Sequence, residues 1–387
     1  MATIDLGIRT LLKSESRINR LHKLKLGLLT NPSGVNEKLQ MTADILAADS
    51  RFALECLFSP EHGIRGENFA GEVVTHGTDS VTGLPVYSLY EQRPSDEIFS
   101  NLDIVLVDLQ DIGSRYYTFF ATVLQLAEQA IPAGCSLWIL DRPNPLGGLQ
   151  MQGPLVEQGY RSIVSAYPAP IRHGMTIGEL SLMFLSGRCP EDFLDVVPMS
   201  DWHRDMLWND TDLVWVPPTL NSSSVIMANL YSGTCIFEGI NVSEGRGTAL
   251  PFQVVGAPWI EGCRLKEAAE KHFSSRCGIV LRPVRFVPTT GEYSGEVCEG
   301  VQFHLINRKQ AKPLTTAVGV VMAIHKTWGN MFAWSTDQQG DLIFDRLLGT
   351  DVIRQMIEQG ESCGQIEEYW ERQCFEFRNE RREYLIY

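Results

Sequence analysis

The chain has 387 residues, 44% of them hydrophobic and 21% charged, the make-up of a globular protein long enough for two domains. Its formal net charge of -14 argues against a general nucleic-acid binder and against a broad basic membrane-binding face, since both need clustered Lys and Arg. Nine cysteines without a C-x-x-C pair, most of them in apolar surroundings, read as buried free thiols in a reducing compartment rather than as a disulfide framework. The N-terminal segment MATIDLGIRTLLKSESRINR lacks the apolar stretch of a signal peptide, and no apolar run reaches membrane-spanning length, so a cytoplasmic location is expected.

Four continuous apolar runs read, in chain order, as strands of a parallel sheet covered on both faces: LKLGLLTN (24–31), FALECLFS (52–59), DIVLVDLQD (103–111) and SLWILDRPN (136–144). Helical patterns lie between them at 37–49 and 118–131, and this alternation predicts βαβ units. Thr176 and Glu179 form a capping box that opens another helix. DFLDVVPM (192–199) and TCIFEGINV (234–242) are further strand candidates, the second followed by the glycine-rich SEGRGT. After about residue 260 the texture changes. GIVLRPVRFVPTT and EGVQFHLIN read as strands of a smaller sheet, and helices are expected at 314–328, 341–348, 350–359 and 365–382. The expected fold class is therefore α/β, an open parallel sheet over residues 1–260 with a smaller α+β domain over 261–387.

Each strand of the first sheet ends in ionisable or turn-forming residues, and in open α/β sheets ligands bind beyond the carboxyl ends of the strands. The first strand delivers Asn31, and the second delivers Glu61 and His62, with Arg65 close behind. The third delivers Gln110 and Asp111, then Arg115 and Tyr116, and the fourth delivers Asp141, Arg142 and Asn144. Further along stand Arg172, His173, Glu238, Asn241, Glu244 and Arg246. The prolines and glycines beside them serve turns first. A glutamate at the tip of a buried strand has few structural reasons to be there. Nearly every cluster carries one arginine (Arg65, Arg115, Arg142, Arg172, Arg246), which predicts a local cationic pocket on an anionic protein, suited to carboxylate or phosphate. G-x-G-x-x-G, a Walker-type loop, H-E-x-x-H and G-x-S-x-G are all absent, so neither a cofactor nor a metal is expected. What remains is carboxylates, arginines and aromatics (Tyr90, Tyr116, Tyr117, Trp259), a set that suits a sugar with an anionic substituent.

The motifs LLTNPSGV, LFSPEHGIRGE, GLPVYSLY, DLQDIGSRYYT, LDRPNPLGG, PIRHGMTIGEL, YSGTCIFEGINVSEGRGT and PFQVVGAPWI occur in the order in which they stand in the exo-β-N-acetylmuramidases of NamZ type, and the chain resembles that family over nearly its whole length. The resemblance implies a Rossmann-like larger domain, a smaller C-terminal domain, and an active site in the cleft between them. It implies release of N-acetylmuramic acid from the non-reducing end of peptidoglycan fragments in cell-wall recycling, with a muramyl disaccharide or muropeptide as the partner molecule. It assigns a catalytic role to Glu61 and a second one to Glu238 or Glu244. Two features depart from the family pattern: no secretion signal is present, and WVPPTLNSSSVIMANLY is serine-rich where relatives carry a PSPNMP-like sequence. A homodimer is compatible with the sequence.

Glycoside hydrolysis needs an acid for the leaving oxygen and a second group at the anomeric centre. Glu61 is expected to be the acid. Glu244 or Asp111 would activate water, or the substrate's own 2-acetamido group would attack, positioned by Tyr116 or Gln110. Arg65 and Arg172 are the first candidates to grip the lactyl carboxylate of muramic acid. Two rival readings stay open, a non-catalytic muropeptide binder and a metal-dependent hydrolase or deacetylase built on Asp108, Asp141, His62 and His173.

Overall fold

The computed structural model describes residues 3–66, 76–90, 93–274 and 276–387; Glu67, the last residue of the LFSPEHGIRGE motif, lies outside them. Seven strands form the large sheet: β1 (Lys25–Thr30), β2 (Ala53–Ser59), β3 (Gly77–Thr78), β4 (Pro85–Ser88), β5 (Ile104–Asp108), β6 (Ser136–Leu140) and β7 (Leu194–Val197). Their spatial order is β3-β4-β2-β1-β5-β6-β7, parallel throughout except for the antiparallel pairing of β3 with β4.

The reason these strands are apolar at every position is visible in the packing. Leu29, Phe58, Val105, Val107, Leu137 and Ile139 join one core, which holds Phe120, Val123 and Leu126 of the helix Phe119–Ala130. The alternate residues Leu28, Leu57, Leu106, Trp138 and Leu140 join a second core with Leu11, Leu21 and Leu46 from the N-terminal helices. Successive side chains of a strand point to opposite faces, so a sheet covered on both sides requires apolar residues in both registers.

A smaller antiparallel sheet has the order β8-β10-β9, with β8 (Val254–Ala257), β9 (Ile279–Phe286) and β10 (Cys298–Leu305). Helices follow at Pro313–Thr327, Ile343–Leu348, Val352–Glu358 and Cys363–Glu380. The expected open parallel α/β sheet with a smaller α+β C-terminal part is what the chain forms. The core of the large sheet runs on without a break into Leu314, Val318, Trp370 and Phe377, so the two parts share one interior.

The stretch 234–242, expected to be a strand, is instead the end of a helix, Val225–Thr234, and a 3-10 turn, Cys235–Gly239. Every residue from Met227 to Thr234 is buried, the polar Asn229, Ser232 and Thr234 included, so this stretch shows no one-sided 3.6-residue period to distinguish it from a buried strand. At Gly233 it touches the helix Pro313–Thr327 so closely that a Cβ would lie 2.1 Å from a Pro313 backbone atom, which only glycine avoids.

Candidate active site

The end of β2 shapes the first wall of the site. After Ser59 the chain turns through Pro60, Glu61, His62 and Gly63, with φ of +77° at His62 and +80° at Gly63. A left-handed histidine is uncommon and costs conformational energy, so its neighbours must hold it there. It is buried, at 6% exposure. The bend brings Glu61 into a cleft whose opposite wall is the helix Val225–Thr234 and the turn that follows. Met227, Tyr231, Cys235 and Glu238 face it at near-helical spacing, and Tyr116 and Tyr117 contribute from the loop after β5. The cleft encloses about 660 Å³, including its open mouth. A groove over the outer face of the helix Phe119–Ala130 is larger, about 1170 Å³, but brings no pair of carboxylates together.

Hydrogen bonds fix the cleft's hydroxyls. Tyr116 donates to the Ser232 carbonyl at 3.0 Å, and Tyr117 shares a bond of 3.2 Å with Ser222, itself 2.7 Å from the Thr219 hydroxyl. Burial raises both phenol pKa values, so they stay neutral. Arg246 donates to Glu244 at 2.7 Å and to Glu238 at 2.8 Å, and its guanidinium lies 4.8 Å from the Phe252 ring centroid. Burial works against the arginine's charge, but the two glutamates outweigh it and raise its pKa. The Glu238 carboxyl is also raised, first by burial and then by the charge of Glu244, with Arg246 opposing. Its side chain keeps 26% exposure.

Most of the expected arginines lie elsewhere. Arg65 pairs with Asp79 and Asp44, each at 2.8 Å, tying the loop after β2 to the turn after β3 and to the helix Thr42–Ala48. Arg115 is fully buried and donates to the carbonyls of Pro154, Ala169, Leu347 and Leu348. Arg142 forks onto Asp108 and also reaches the Val35 carbonyl. Arg172 is held by Gln150 and by the Ala311 and Leu146 carbonyls. Among the described residues, only Arg246 of the five lines the cleft, so these five arginines are not gathered into one cationic pocket. A guanidinium carries five donors and, once buried, must satisfy them; backbone carbonyls do so as well as carboxylates.

Several other candidates are committed to structure. Asp141 accepts from Thr176, Gly178, Arg142 and Tyr387, which bolts the last residue of the chain to the end of β6. Asn144 caps the turn at Leu146 and holds Met175. Asn241 clamps the segment at Met331 and Ala333. Asn31 donates to the Pro218 carbonyl, and Gln110 donates to the carbonyls of Asp111 and Pro143. His173 is buried with its pKa lowered to about 3, chiefly by burial, and accepts from the Met175 amide, so it is a neutral structural imidazole. Trp259 donates to Tyr293, outside the cleft. Glu244 stands behind Arg246 rather than on the cleft surface. Among the described residues, no three His, Cys, Asp or Glu side chains are grouped to hold a metal ion.

Asp111 is also off the cleft surface, at 6% exposure, with one carboxyl oxygen bonded to the Gly113 amide and the other without a partner. Burial pushes its pKa up from 3.8 to about 7. As pH rises from about 4 to about 7, the unfolded carboxyl releases its proton while the folded one keeps it, so this residue erodes stability across that window. Asp111→Asn should therefore gain stability relative to wild type at pH 7.5 compared with pH 4.5, as read by urea midpoints. A constant difference at the two pH values would refute this.

Sequence reasoning missed Thr219, Asn221, Ser222 and Tyr231, which line the cleft. The serine-rich departure at 215–231 was the available signal.

An open parallel sheet whose strand-end loop and facing helix bring two glutamates into an aromatic-lined cleft defines a sugar-cleaving α/β enzyme. The chain belongs to the exo-β-N-acetylmuramidase NamZ family: residues 26–225 match the N-terminal and residues 229–387 the C-terminal family model. It is 38% identical over 387 residues to the peptidoglycan β-N-acetylmuramidase NamZ of Bacillus subtilis (strain 168), covering 99% of this chain and 91% of that protein. Two crystal structures of DUF1343 family proteins from Bacteroides fragilis superpose with TM-scores of 0.89 and 0.78, at 31% and 30% identity, each covering 99% of both chains.

Proposed function

We propose that this enzyme releases N-acetylmuramic acid from the non-reducing end of peptidoglycan fragments such as MurNAc–GlcNAc, in cell-wall turnover. The observation that carries the mechanism is the meeting of Glu61 and Glu238 in one cleft beside Arg246. Glu61 gives its proton to the glycosidic oxygen as the bond from the anomeric carbon breaks. Glu238 stands by the positive charge that develops at that carbon, and water supplies the new hydroxyl. All nine cysteines are free, which fits work in a reducing compartment such as the cytoplasm.

Arg246 takes over the part expected of Arg65 and Arg172. Its bonds to Glu238 and Glu244 leave guanidinium donors for a third carboxylate, the lactyl group that distinguishes muramic acid from glucosamine. Arg246→Met should weaken competitive inhibition by free MurNAc about thirtyfold or more while leaving that by GlcNAc nearly unchanged. Parallel losses for both sugars would take the lactyl contact away from this residue. The reaction itself is tested by incubating the protein with MurNAc–GlcNAc and following the released sugar and its anomeric configuration by NMR. No release by the wild-type protein would overturn the reading.

A further inference from the structure

The cleft has two chemically different ends, joined by one helix face. At one end stand Glu238 and Arg246, with Glu244 bonded behind the arginine. Met227, Tyr231 and Cys235 lead away from them, and Met227 to Cys235 alone spans about 12 Å along the helix axis. Beyond Met227, before the Ser224 cap of the helix, lies Asn221. Met227 and Cys235 are thus about two helical turns apart, a span comparable to the reach of a disaccharide.

The Asn221 end is built from a loop without ionisable side chains, residues 215–224. Its loop is tied down by Asn31 Nδ2 to the Pro218 carbonyl at 2.9 Å, by Trp215 Nε1 to the Ser222 carbonyl at 2.9 Å, and by the Thr219–Ser222–Tyr117 hydroxyl chain. Every polar side chain in that list has a partner. Asn221 itself lines the cleft, and among the described residues its amide makes no hydrogen bond. A half-buried side-chain amide held on a fixed loop presents a donor and an acceptor that the protein leaves unsatisfied.

We propose that Asn221 is a specificity-determining residue of the leaving-group subsite and hydrogen-bonds the neutral 2-acetamido group of the N-acetylglucosamine that departs. The assignment rests on the muramidase reading above: with the lactyl carboxylate held at Arg246, the second sugar of the disaccharide extends along the helix face toward Asn221. Glu61 opens onto the same cleft as Tyr117, whose hydroxyl bonds Ser222 next to Asn221. That is where the donor to the bridging oxygen belongs.

The test compares two substrates in wild type and Asn221→Ala. One is MurNAc–GlcNAc; the other is 4-nitrophenyl N-acetylmuramide, whose leaving group has no acetamide. The expected result is a loss in kcat/KM of about tenfold on the disaccharide, the worth of one or two hydrogen bonds, and less than about twofold on the nitrophenyl glycoside. Equal losses on both would place Asn221 in the muramyl subsite and overturn the proposal, as would no loss on either. Circular dichroism and the preserved nitrophenyl rate exclude misfolding. A wild-type protein inactive on both substrates would sink the muramidase reading instead, so the two failures are distinguishable.

Discussion

Glu61→Gln folds as the wild type does and hydrolyses MurNAc–GlcNAc about a thousandfold more slowly, with KM little changed. The carboxamide keeps the size and one acceptor of the carboxyl group but has no proton to give, and general acid catalysis contributes about 10²–10⁴-fold. The bend that carries it is set by the left-handed backbone at His62 and Gly63, which the substitution leaves alone. A loss confined to kcat marks an interaction made in the transition state. Leaving-group dependence sharpens the test. A 2,4-dinitrophenyl muramide departs without protonation, so Glu61→Gln should lose far less on it than on the disaccharide. Equal losses on the two substrates would show that Glu61 works at the anomeric carbon rather than on the leaving oxygen.

The second large effect concerns stability. Arg142→Leu should destabilise the fold by about 3–5 kcal/mol, because it strands the Asp108 carboxylate in the interior. Both side chains are almost wholly buried, at 4% and 1% exposure, and Asp108 also accepts from Thr42. Asp108 ends β5, and Arg142 follows β6, so the pair ties adjacent strand ends to the Val35 carbonyl beyond β1. Replacing both residues by leucine removes the stranded charge and should restore much of the loss. Urea unfolding reads both changes as midpoint shifts at constant slope. If the single variant loses less than about 1 kcal/mol, or if it raises KM selectively for muramides, Arg142 belongs to the site after all.

The large sheet was legible because its strands are apolar in both registers, which only a doubly covered parallel sheet requires. Glu61 was legible for a related reason: a charged residue directly after a buried strand stands where such a sheet binds ligands. The helix Val225–Thr234 was not legible, since burial on every side from Met227 onward left it no one-sided period. The cleft wall it forms, with Tyr231, was hidden for the same reason, although Glu238 itself was legible as a candidate.

The arginines mark the boundary between what the chain states locally and what folding settles. Composition and strand order determined by themselves that this is an α/β protein with polar strand tips and free thiols. Which of those tips share a cavity was decided only in three dimensions, where Arg115 meets carbonyls 39 to 233 residues away and Arg246 meets glutamates two and eight residues back. A guanidinium accepts either kind of partner with similar geometry, so its residue type and spacing leave its destination open. Burial and the nearest acceptor choose it, and both are properties of the packed molecule.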